Sequence, residues 1–105
     1  MYARMSTVRV RPDTLDHVVQ VYTDGVIPAL QLQDGFRGTD LFVWRETAVA
    51  VSVTYWDSEA DLRASEASGF YQEQVAKFGG SLDLTLSQRV FEVSARMVVP
   101  EPALA

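Results

Sequence analysis

One imidazole, His17, and no thiol are available to this chain, so any chemistry it performs runs mainly on hydroxyls, carboxylates and guanidinium groups. The absence of cysteine removes disulfides, thiolate metal sites, thiol nucleophiles and iron–sulfur clusters together. With a single histidine, a zinc or iron site would need carboxylates for most of its ligands, which argues against metal catalysis. His17 falls almost opposite the apolar stripe of its helix and is expected to be exposed and inert, unless a rotated or kinked helix turns it inward as a general base. Tyr71 is the hydroxyl of most interest, because it sits on the inward stripe of a helix beside Ala64 and Ala67. Either those small side chains leave a cavity that Tyr71 lines, or they let the helix lie close while Tyr71 packs in the core with its hydroxyl at the rim. Arg89 reads most simply as a solvated or interfacial ion pair with a residue such as Glu92. Trp44 and Trp56 read as core or interface anchors, and Ser6, Thr7 and Ser52 as strand hydroxyls with little claim on a ligand.

Charge and length narrow the classes further. Nine Lys and Arg against fourteen Asp and Glu give a net charge of −5, which argues against nucleic-acid binding, since that needs a basic stripe to neutralise phosphates. The only basic cluster is Arg4, Arg9 and Arg11. No apolar run approaches the ~18 residues of a membrane span and the N-terminus has no apolar h-region, so no membrane partner and a cytoplasmic location are expected. The 105 residues, 48% apolar and 22% charged, fit one domain over 1–105, with a core at 4–98 and a tail at 99–105.

The elements that must position these groups follow from periodicity. Met5 to Arg11 alternates as a strand ended by Pro12, with Ser6, Val8 and Val10 on one side. Asp13 is a candidate N-cap for a first helix from about Thr14, whose stripe is Leu15, Val18, Val19, Tyr22, Val26, Ala29 and Leu30. Gly25 and Pro28 inside that stripe predict a kink or break. Asp34-Gly35 signals a turn; Phe36 to Arg45 is then a second strand, with Phe36, Phe42 and Trp44 on one face and Leu41 and Val43 on the other. After the polar break Arg45-Glu46-Thr47, Ala48 to Trp56 forms a third strand with Val49, Val51, Val53 and Tyr55 opposite the smaller Ala48, Ala50, Ser52 and Thr54, and the two strands make an antiparallel hairpin. Asp57-Ser58-Glu59 opens a second helix with the inward stripe Ala60, Ala64, Ala67, Tyr71, Val75 and Phe78, interrupted by Gly69 and ended by Gly79-Gly80. A last strand lies between Leu82 and Val98, most clearly where Phe91, Val93, Ala95 and Met97 alternate with polar residues; Pro100 and Pro102 bar a central strand beyond it.

This βαββαβ order, with right-handed crossovers, gives a ferredoxin-like α+β fold: an antiparallel four-stranded sheet with two helices on one face. Two helices cover one side only, yet the second strand is apolar on both. A second copy pairing sheet to sheet would cover the open face and make a homodimer; the alternative is a monomer with one apolar, half-exposed face.

The run Asp34-Gly35-Phe36-Arg37-Gly38 after a helix, the strand end Tyr55-Trp56-Asp57-Ser58-Glu59, and the helix carrying Leu62, Ala64, Ser68 and Phe70 together resemble the antibiotic biosynthesis monooxygenase family over about Thr7 to Phe78. The resemblance implies a dimeric α+β barrel, in agreement with the fold read from the pattern. Asp34 departs from the Pro that often precedes the Gly-Phe pair, which should alter the turn and leave the fold alone. Among similar proteins, haem degraders carry a substrate-distorting Trp and an axial His on the second helix and an Asn on the first strand; the matching positions are Ser65, Val75 and Ser6. Valine cannot ligate iron, so that branch is rejected.

The resemblance to oxygenases of aromatic polyketides and quinols implies an enzyme needing no cofactor and no metal. There a phenol or hydroquinone loses a proton and its electron-rich anion reacts directly with dioxygen, inside a dry aromatic pocket with hydrogen-bond donors and a nearby cation. On this resemblance Tyr71 matches a Tyr and Arg89 an Arg, as the catalytic pair, while Ser65 takes the place of a Trp; Trp56, Ser65 and Phe42 are the substrate-binding positions. Two other readings stay open on the same barrel: a small-molecule binding module without chemistry, and a non-oxidative polyketide cyclase or isomerase.

Overall fold

The computed structural model describes residues 1–101, and the last four positions of the expected tail, 102–105, lie outside the described residues. Four antiparallel strands, β1 (Tyr2–Val10), β2 (Phe36–Trp44), β3 (Val49–Trp56) and β4 (Leu82–Glu92), form one sheet in the order β2-β3-β1-β4. The helices α1 (Leu15–Val21), α2 (Ile27–Leu30), α3 (Glu59–Ala67) and α4 (Phe70–Ala76) supply the other half of the core. This is the ferredoxin-like α+β arrangement that the element order implies.

The first strand begins at Tyr2, three residues earlier than the alternation from Met5 suggests, and the extension adds Arg4 to the buried side already occupied by Ser6 and Val10. Asp13 is no cap: a short 3-10 turn, Pro12–Thr14, leads into α1, and Thr14 at its N-cap makes no side-chain cap bond. The expected kink takes the form of a π-helical turn, Tyr22–Val26, between α1 and α2. Its cause is legible in the stripe. Val18, Tyr22, Val26 and Leu30 are all buried and each is four residues from the next. On a regular helix of 3.6 residues per turn such a row would drift off the core face; a wider turn holds it in line.

In β2, Leu41 and Val43 pack on the core while Phe42 and Trp44 are exposed. Phe36 sides with Leu41, not with Phe42, because the register slips between Phe36 and Gly38 and one extra residue flips the alternation. The small face of β3 turns inward as its pattern requires, with Ala50, Ser52, Thr54 and Trp56 toward the helices. Gly35 is the one residue that fits the turn before β2: its φ is +77°, and a Cβ there would lie 2.2 Å from the Asp61 carboxylate.

The second helix corrects the expected stripe. Ser58 caps α3 by accepting from the Asp61 N–H at 3.1 Å, but Leu62 and Ser65 are the residues that go inward, whereas Ala60, Ala64, Ala67 and Val75 are exposed. Burying Leu62 removes far more apolar surface from water than burying an alanine, and it sets the phase. Gly69, at φ +84°, breaks the helix and resets that phase, so that α4 buries Phe70 and Gln74. The last strand also lies earlier than expected. Glu92 pairs with Tyr2 at the start of β1, so Val93, Ala95 and Met97 run past the end of their only neighbouring strand.

Candidate functional site

Between the helices and the inner sheet face lies a cavity of about 100 Å³. Its walls are apolar over most of their extent: Val18, Val26, Leu30, Trp56 and Phe70 among them. Polar groups meet at one side, where Arg4 and Ser6 of β1 face Tyr71 and Gln74 of α4.

Arg4 belongs to the one basic cluster of the sequence, with Arg9 and Arg11, and was given no role in the site there. It is buried, its Nη2 donates to the Glu66 carboxylate at 2.6 Å and to the Leu62 carbonyl at 3.4 Å, and its guanidinium carbon lies 4.6 Å from the Tyr71 ring centre. The cation is thereby stacked on the phenol face and fixed by charge-assisted hydrogen bonds. Its signal was the two-residue alternation itself, which joins Arg4 to Ser6 once the strand is started early enough. The Tyr71 hydroxyl accepts from the Gln88 amide N–H and lies 3.4 Å from the Ser6 hydroxyl. With one lone pair so engaged, its own O–H is available to Ser6 or to a molecule in the cavity.

A second chain of hydroxyls starts at Ser52, the cross-strand partner of Ser6, and runs through Tyr22 to Thr39. Thr39 donates to the Val53 carbonyl at 2.9 Å, so it accepts from Tyr22 at 2.5 Å, and Tyr22 in turn accepts from Ser52 at 2.7 Å. Burial pushes the Tyr22 phenol above its ordinary pKa, partly offset by the Ser52 and Thr39 hydrogen bonds, with the Asp40 charge adding to the rise. Tyr22 is therefore a neutral, structural donor at physiological pH.

Of the candidate site residues, Trp56, Ser65 and Tyr71 come together on the cavity. Trp56 is 1% exposed, its indole N–H donates to Thr54 Oγ1 at 3.0 Å, and Phe36 meets it edge-on at 5.7 Å; it is a wall with its polar atom already used. Ser65 likewise spends its hydroxyl proton on the Leu62 carbonyl at 2.6 Å. Phe42 does not reach the site: it is 56% exposed on the opposite sheet face. Arg89 also stays outside the cavity. It pairs with Met5 in the sheet and lines a polar pocket with Glu66, Gln72 and Gln88; Arg4 and Tyr71 border both that pocket and the cavity. The buried cation at the cavity is Arg4. His17 is exposed on α1, as its wheel position requires. Among the described residues no three His, Cys, Asp or Glu side chains cluster so as to hold a metal, and no carboxylate or imidazole lines the cavity.

A model of the antibiotic biosynthesis monooxygenase family matches residues 1–77. Two uncharacterized proteins of Mycobacterium tuberculosis, Rv2558 and Rv2557, are 34% and 31% identical to the chain over 65 residues, which is 62% of this chain and 28% and 29% of theirs. The chain thus spans under a third of the length of the curated relatives it matches. Two solved structures share the fold: Rv0793 from Mycobacterium tuberculosis, with a TM-score of 0.70, 21% identity and coverage of 92% of this chain and 98% of that one; and a monooxygenase from the gene ActVA-Orf6 of Streptomyces coelicolor in complex with nanaomycin D, with a TM-score of 0.70, 18% identity and coverage of 94% and 92%.

Proposed function

Because the chain belongs to the antibiotic biosynthesis monooxygenase family, we propose that it is a cofactor-independent monooxygenase acting on a phenolic, aromatic polyketide or quinol-like small molecule held in the cavity behind Tyr71. The observation that carries this reading is the polar corner of an otherwise apolar chamber. There the Tyr71 hydroxyl, the Ser6 hydroxyl and the positive charge of Arg4 converge where a phenolate oxygen would sit.

The chemistry balances without a further reductant. A phenol whose ring carbon para to the hydroxyl bears hydrogen takes up one O2; one oxygen atom becomes the new quinone carbonyl, and the other leaves as water with two substrate hydrogens. The substrate supplies all four electrons. The first step is loss of the phenolic proton, since the anion is the electron-rich species that oxygen attacks. Donors preorganised at the anion and exclusion of water favour that loss. With no carboxylate or imidazole on the described cavity wall, the proton leaves through the polar pocket beyond Tyr71 and Gln88. Arg4 acts on the bound anion from behind the Tyr71 ring, and its pairing with Glu66 holds it in place while tempering its charge. The test is oxygen uptake with phenols whose para carbon bears hydrogen, single-ring and polyketide, in chelator-treated buffer. A large loss of rate is expected in Tyr71→Phe; an unchanged rate in that variant removes Tyr71 from the mechanism.

The same reading includes a homodimer through the open sheet face. Phe42, Trp44, Leu84 and Phe91 are exposed large side chains on the face the helices leave bare, and pairing of two such faces covers all of them.

A further inference from the structure

Gln74 has no assigned role, and its chemistry does not suit its place. It lies four residues after Phe70 and four before Phe78, on the face of α4 that turns to the core, where a leucine or methionine would complete the packing. It is 7% exposed, and its Oε1 is buried without a hydrogen-bond partner among the described residues. A buried acceptor left unpaired is a standing cost to the fold, and a chain that keeps one at a cavity wall has a use for it when the cavity is filled. Other polar groups lining the cavity have partners: Ser65 with Leu62, Ser52 with Tyr22, Trp56 with Thr54, and Tyr71 with Gln88 and Ser6. Gln74 Oε1 is the buried acceptor left without a partner among the described residues.

We propose that Gln74 is a specificity-determining residue that accepts a hydrogen bond from a hydroxyl of a single-ring ligand, so that the cavity selects small hydroxylated aromatics over their apolar isosteres. Gln74 lines the cavity, and the terminal amide torsion of glutamine is broad, so Oε1 can turn toward a bound molecule. Gln74 sits one turn from Tyr71, in the i, i+3 relation that puts both side chains on one helix face. A ring lying against Phe70 and Trp56 can therefore direct one hydroxyl toward Tyr71 and another toward Gln74. Size follows from volume: an engineered cavity of roughly 150 Å³ accepts benzene, and this one, at about 100 Å³, takes one ring after small shifts of its walls and no fused three-ring system. The inference rests on the proposed function only in taking this cavity as the ligand site; it holds whether or not the ligand is oxidised.

The experiment is an anaerobic NMR titration with hydroquinone, 4-methylphenol and p-xylene, which exchange hydroxyl for methyl at nearly constant shape, together with a three-ring dihydroxyanthracene. The wild-type chain is expected to bind hydroquinone at least tenfold tighter than p-xylene and to reject the three-ring probe. Gln74→Met, close in shape, is expected to bring hydroquinone and p-xylene closer together by about fivefold or more while raising the melting temperature of the ligand-free protein. Discrimination unchanged in a folded Gln74→Met, binding of none of the single-ring probes, or equal binding of the three-ring probe overturns the proposal. Binding with the expected discrimination but no oxygen uptake in air with phenol itself, whose para carbon bears hydrogen, overturns the oxygenase reading alone.

Discussion

Arg4 and Glu66 make an ion pair whose two members are buried to different depths, and removing them one at a time should have unequal consequences. The Arg4 side chain is 7% exposed and that of Glu66 36%, at a separation of 2.6 Å. In Arg4→Met the carboxylate left behind turns to solvent. The loss is a charge-assisted hydrogen bond, discounted for screening at the exposed partner, and a cation–π contact of about 0.5–1 kcal/mol, in all roughly 1–2 kcal/mol. In Glu66→Ala the guanidinium cannot follow its partner out. It keeps the Tyr71 face and the long bond to the Leu62 carbonyl, but a buried cation has lost its counter-charge, at about 2–4 kcal/mol, somewhat under the range for breaking a fully buried pair. The double variant should recover part of that loss, since no charge is then stranded. For a domain of this size a gap of about 1–2 kcal/mol between the single variants is at least roughly 4 °C in melting temperature, readable by urea or thermal unfolding of the three variants. Equal destabilisation, or a larger loss in Arg4→Met, would refute the claim that Arg4 is a buried cation held by its partner.

Two further outcomes follow from the same geometry. The raised pKa of Tyr22 means that the folded state holds its proton more tightly than the unfolded chain does. The stability it contributes is full below the ordinary tyrosine value near ~10 and is lost as pH rises beyond it; unfolding between pH ~8 and ~11 should show a steeper alkaline loss in wild type than in Tyr22→Phe, which starts about 1–2 kcal/mol less stable for want of the Ser52 and Thr39 bonds. The open sheet face predicts a dimer by light scattering at tens of micromolar and a monomer in Trp44→Asp; a wild-type monomer at that concentration contradicts the pairing.

The fold was legible because its signals were local and redundant: the alternation in β3, the Gly35 turn and the Gly69 break each have one physical cause that the sequence displays. The site was legible in part. Trp56, Ser65 and Tyr71 share the cavity because the inward alternation of β3 and the inward faces of α3 and α4 converge there. Phe36 was placed on the Phe42 face because a single extra residue near Arg37 leaves no mark in an alternating pattern read one strand at a time. The expected alanine stripe failed because small residues carry little phase information beside Leu62. Arg89 and Arg4 are alike as residues; which of them reaches the cavity is decided by strand register between β1 and β4, a nonlocal fact.

The proposed function requires that the cavity behind Tyr71 carry out oxygen insertion without a metal or cofactor. The most direct measurement is the fate of isotopically labelled dioxygen when chelator-treated protein turns over a para-unsubstituted single-ring phenol. One labelled atom is expected in the quinone carbonyl and the other in water, with loss of the reaction in Tyr71→Phe. Unlabelled quinone, or recovery of intact phenol after aerobic incubation with folded protein, would contradict the proposed function.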